Sequence, residues 1–93
     1  MITFTELLER AKTKEIAIHT PTEKQAKTLL KAFEGKGYIW GFGQKLTAIT
    51  CYKNYEENTC YDWSYGTVSY CSLSFYQKLG FTIIEFDDID LEN

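Results

Sequence analysis

His19 is the one histidine in the chain. It ends an alternating run, Ile16-Ala17-Ile18-His19, directly before a helix-start signal. A lone imidazole at a strand end can act as a general base, although more often it only makes a hydrogen bond where strand meets loop. Three cysteines follow, Cys51, Cys60 and Cys71, separated by eight and ten residues. With His19 they reach the ligand count of a structural zinc site, but no short CxxC knuckle brings two of them together. The spacing favours small buried thiols and predicts neither a metal nor a cofactor. A Cys–His nucleophilic pair is the alternative: a small enzyme or ligand-binding domain centred on His19, with Cys51, Cys60 and Cys71 around it. The helix start after His19 could hold an anion, but Thr20 and Glu23 are placed to satisfy its donors, and there is no Gly-rich phosphate loop.

A second chemical group is the acidic close of the chain, Glu85, Asp87, Asp88, Asp90 and Glu92. Paired carboxylates can bind a divalent ion or exchange protons, yet these lack the spacing of a calcium loop. They read as a solvated end, with docking to a partner or mimicry of a nucleic acid as the sharper alternative. Charge is divided along the chain: residues 1–53 carry nine Lys/Arg and five Asp/Glu, whereas residues 54–93 carry one Lys and eight Asp/Glu. Lys24, Lys27 and Lys31 share one face of a predicted helix. That face is ordinarily solvated, with an acidic partner or nucleic acid as alternatives, and the net charge of −3 argues against phosphate. Aromatic residues make up 16% of the chain, and Trp40, Phe42, Tyr52, Tyr55, Tyr61, Trp63, Tyr65 and Tyr70 are more than so small a core is expected to bury. Tyr and Trp concentrate binding energy at interfaces. The candidate protein-binding set is therefore Trp40, Tyr61, Trp63 and Tyr65 with Asp87, Asp88 and Asp90.

The elements that must position these groups are organised around Glu15 to Trp40. A strand over 15–19 leads into a helix over about 21–36, with Thr20 as cap, Pro21 in the first turn and Glu23 closing a capping box. Ala26, Leu29, Leu30 and Phe33, with Ala32 alongside, form its apolar stripe, and Gly37 offers a left-handed stop. Before it, Phe4, Leu7, Leu8 and Ala11 predict a short helix over 4–12. After it, Tyr38-Ile39-Trp40 resumes an extended run, and residues 44–52 carry no assignable pattern. The runs 59–63 and 68–71 suit an antiparallel hairpin around a turn at 64–67. Residues 72–80 read as a loop or a one-turn helix. Phe81 to Phe86 is β-branched and aromatic and predicts an interior strand.

The expectation is one α+β domain over 1–93. Its small sheet, mainly antiparallel or mixed, has four to five strands covered by one long helix, with a short N-terminal helix. Charges interrupt the N-terminal MITFTELLERAK, and no run approaches the ~20 apolar residues of a membrane span. The chain is expected in the cytoplasm, off the membrane, with reduced thiols, as a monomer or homodimer.

Phe75-Tyr76-Gln77-Lys78-Leu79-Gly80-Phe81 resembles the FY-x-K-L-G-F stretch of acetyltransferases of the GNAT superfamily and of glyoxalase-like domains. The acyl-coenzyme A pyrophosphate loop has no counterpart, so no acetyltransferase activity is implied. A longer resemblance is carried by Ile16 to Glu23, the Lys36-Gly37-Tyr38-x-Trp40 stretch, Asn58-Thr59-Cys60-Tyr61 and Gly80 to Asp88. It is to small uncharacterised proteins encoded by phages and integrated elements of low-GC Gram-positive bacteria. That resemblance implies a non-catalytic accessory protein made in an infected host cell and binding a protein partner.

Overall fold

The computed structural model describes residues 1–92. In chain order the regular elements are β1 (Ile2–Thr3), α1 (Phe4–Arg10), β2 (Ile16–His19), α2 (Glu23–Gly35), β3 (Ile39–Trp40), β4 (Thr59–Ser64), β5 (Thr67–Ser72), α3 (Leu73–Lys78), β6 (Thr82–Glu85) and β7 (Ile89–Asp90). The fold is α+β, with a five-stranded mixed sheet in the order β3-β5-β4-β2-β6 and a small parallel pair, β1 with β7. β4 runs antiparallel to both β2 and β5, while β6 runs parallel to β2 and β3 parallel to β5.

The long helix forms where the apolar period demands. Ala26, Leu29, Leu30 and Phe33 are fully buried, each of the three larger ones contributing about 1.5–3 kcal/mol through lost contact with water. Its start lies two residues later than expected. Thr22 is the cap: its hydroxyl accepts from the Gln25 N–H at 3.2 Å, and the Gln25 side chain accepts from the Thr22 N–H at 3.2 Å. Thr20 instead extends the strand edge, its N–H and hydroxyl both reaching the Thr59 carbonyl at 3.0 and 3.2 Å. Pairing with β4 holds the chain extended through Thr20, so the helix cannot begin there. Gly37, at φ 90°, ends the helix as predicted.

Residues on β4 and β5 alternate between two cores. Tyr61, Trp63 and Val68 face α1 and α2, together with Trp40 and Leu46. Cys60 faces the other side with Ala17 and Tyr76 of α3, and Cys71, Phe81 and Ile83 pack against them. The first of these cores corrects the aromatic expectation. Trp40 and Tyr61 are fully buried and Trp63 is 9% exposed, because α1, α2 and the chain around Leu46 together cover that one face of the sheet.

The expected interior strand also needs correction. Among the described residues β6 is an edge strand, paired only with β2. Its apolar residues divide between the cores, Ile84 toward α2 and Ile83 toward α3. An apolar run therefore reflects cover on two faces and not a central position. Residues 72–80 resolve into α3, capped by the Ser72 hydroxyl, which accepts from the Phe75 N–H at 3.3 Å. Among the described residues no helix is long and apolar enough to cross a membrane.

Candidate functional site

Strand register assembles a row that sequence spacing conceals. His19 on β2 lies opposite Glu85 on β6 and opposite Cys60 on β4, and Cys60 lies opposite Cys71 on β5. Direct partners share a face of the sheet, so Glu85, His19, Cys60 and Cys71 stand side by side across four strands. Cys51 belongs to the opposite core.

The row resembles a carboxylate–imidazole–thiol arrangement only in its order. His19 Nδ1 lies 2.8 and 3.1 Å from the two Glu85 carboxylate oxygens, and Nε2 lies 2.7 Å from the Glu57 carbonyl. Both partners are acceptors, so both contacts are donated together only by the doubly protonated ring. Neither nitrogen points at Cys60. The Cys60 side chain is fully buried, and burial, reinforced by the charge of Glu85, pushes its thiol up to about 12. A reactive cysteine needs the opposite shift. The row is built as a clip: His19 ties the end of β6 to the turn at 56–58.

His19→Ala is expected to lower stability by about 0.5–1.5 kcal/mol, the net worth of its bond to the Glu57 carbonyl, which lies in an exposed residue that water can reach. The half-exposed Glu85 side chain adds less. Urea unfolding measures the loss, and faster amide exchange over residues 56–59 localises it.

Among the described residues no three or more His, Cys, Asp or Glu side chains are placed to hold a metal ion. No buried side-chain nitrogen or oxygen there lacks a partner. No family model matches the chain, and no curated protein or solved structure matches it.

The remaining candidate residues divide between the two ends of the sheet. Tyr65 occupies the β4–β5 turn with its side chain wholly in solvent. Asp87 and Asp88 follow the far end of β6 and are exposed, with Asp87 accepting from Gln25 Nε2 at 3.0 Å. Asp90 is half-buried on β7. The aromatic and acidic features therefore do not form one surface.

Two concavities lie away from His19. One, about 760 Å3, opens beside the β4–β5 turn between α1 and Tyr38, with Trp63 in its wall, Tyr65 on its lip, and Lys12 and Lys36 around it. The other, about 770 Å3, lies between α2 and residues 46–54. Phe42 and Ile49 stand exposed at this second cavity, 59% and 50% accessible. Phe42 stands among the aromatics too numerous for the core, whereas the only signal for Ile49 is the missing period over residues 44–52, since irregular chain pinned over a helix leaves no repeat to read.

Proposed function

We propose that this chain is a non-catalytic accessory protein that binds a protein partner through the β4–β5 tip. In this reading it is encoded by a phage or mobile element and acts in the cytoplasm. The observation that carries the reading is Tyr65. Its backbone sits at φ 49° and Gly66 at φ 82°, the paired positive values of a tight hairpin turn. Asn or Gly would adopt that conformation more cheaply, by about 1 kcal/mol. A large aromatic side chain stands there instead, fully exposed. Beside it Trp63, Tyr38 and Leu8 line a cleft of about 760 Å3. An aromatic anchor at the lip of an aromatic cleft is the composition of a binding hot spot.

Tyr65→Asn tests this without threatening the fold. The variant is expected to be as stable as the parent or slightly more so, and to bind its partner at least about tenfold more weakly. Affinity capture from a lysate of a low-GC Gram-positive bacterium, with parent and variant side by side, reads the difference. A partner retained equally by both, or none retained by the parent, overturns the reading. Trp63→Ala would not serve, because Trp63 packs on Phe33 at 5.0 Å and its loss would damage the core.

A further inference from the structure

The cavity between α2 and residues 46–54 is made of irregular chain held by side chains from the regular elements. Tyr61 Oη donates to the Thr50 carbonyl at 2.6 Å, and Trp40 Nε1 donates to the Ile49 carbonyl at 3.0 Å. Tyr52 Oη donates to the Pro21 carbonyl at 2.5 Å. The Glu34 carboxylate accepts from the Thr47 N–H at 3.1 Å and from its hydroxyl at 3.0 Å, which holds its carboxyl below the usual range. Four such ties leave the wall shaped before any ligand arrives, which lowers the ordering cost of binding.

The lining has a definite chemistry. Leu30 and Leu46 lie fully buried beneath its floor, and the apolar surface open to the space comes from half-buried Tyr70 and from exposed Phe42 and Ile49. The charged residues around it are Lys27 and Lys31, one helical turn apart on α2, with Lys53 and one carboxylate, Glu23. With Glu34 bound to Thr47 in the wall, that leaves an excess of one positive charge. Neither of the ion pairs among the described residues, Lys12 with Glu9 and His19 with Glu85, engages these lysines. A volume of about 770 Å3 lies within the range of pockets that bury small organic molecules.

From this we infer that the cavity binds a small amphipathic anion: a medium-chain aliphatic or aromatic body carrying one acidic group. The body lies against Tyr70, Phe42 and Ile49, and the anion lies at Lys27 and Lys31. The proposal is independent of the β4–β5 tip, which lies outside this lining. It also moves ligand binding away from His19.

The test uses the full chain with 8-anilinonaphthalene-1-sulfonate as fluorescent probe and decanoate as competitor. Saturable binding at one site is expected, with decanoate displacing the probe and decanol at least fivefold less effective. Lys27→Gln with Lys31→Gln is expected to weaken the probe about tenfold without moving the melting temperature. Lys12→Gln with Lys36→Gln, at the other cleft, is expected to leave affinity unchanged. Ala48→Trp, which fills the cavity from its lining, is expected to abolish the signal. Non-saturable binding overturns the proposal. So does equal competition by decanol, or an affinity that follows the Lys12 and Lys36 pair instead.

Discussion

Phe33→Ala is expected to lower the unfolding free energy by about 3–5 kcal/mol, the cost of emptying a buried aromatic site. Phe33 is fully buried on the inner face of α2 and is the meeting point of three other rings. Phe4 from α1 approaches it edge-on at 5.0 Å, Tyr38 edge-on at 5.2 Å and Trp63 tilted at 5.0 Å. These contacts tie the short N-terminal helix, the helix exit and the sheet to one side chain, and such pairs contribute about 0.5–1.5 kcal/mol beyond their buried area. A helix of seven residues has little stability of its own, so α1 should lose its place when Phe33 is cut back. Domains of this size hold on the order of 5–10 kcal/mol in total. The variant should therefore melt about 15–30 °C lower and lose protection first over residues 4–10. Calorimetry and amide exchange check both. Phe33→Leu, which keeps most of the volume, should retain most of the stability; equal loss in the two variants would argue against the ring cluster.

The second large effect is alkaline unfolding. Burial holds three acidic groups in their neutral forms: the Cys60 thiol, raised to about 12, and the Tyr61 and Tyr76 hydroxyls, both raised well above the usual tyrosine range. For Tyr76, burial is joined by Asp62, whose carboxylate accepts the phenolic proton at 2.5 Å. A raised value means that the folded chain keeps a proton the unfolded chain gives up. The stabilisation is complete below the unfolded thiol value of about 9 and is lost as pH rises toward 12. Each group so held contributes a slope of about 1.4 kcal/mol per pH unit within its window. Cys60 acts from about pH 9, and the tyrosines join from about pH 10. The urea midpoint should fall steeply between pH 9 and 12. Cys60→Ala should flatten the segment from 9 to 10, and Tyr76→Phe the segment above 10. A midpoint level from pH 8 to 11 would contradict the assignment of these groups.

The difference between what could be read early and what could not follows the range of the interactions. The stripe of Ala26, Leu29, Leu30 and Phe33 is a local period, and any structure that buried a helix face would have to use it. The Ser64–Thr67 turn is equally local, since Tyr65-Gly66 suits little else between two alternating runs. Local spacing predicts a cap at Thr20, but a partner 39 residues away, Thr59, claims that residue for the sheet. Apolar content predicts an interior place for β6, but that content records how many faces are covered, not how many neighbours a strand has. A count of rings points Trp40, Tyr61 and Trp63 toward the surface, whereas α1, α2 and the chain around Leu46 close over all three on one face of the sheet.

From its own residues the chain determined its class, its long helix and its stop at Gly37, and a hairpin of residues 59–63 with 68–71, all products of neighbours a few positions apart. Only the folded structure decided that His19 stands in one row with Glu85, Cys60 and Cys71, that both its ring nitrogens are occupied, and that Phe42 and Ile49 stand exposed at a cavity ringed by lysines. Those placements depend on strand register and on hydrogen bonds spanning tens of residues. Contacts of that kind leave no period along the chain, because their geometry exists only after the sheet has closed.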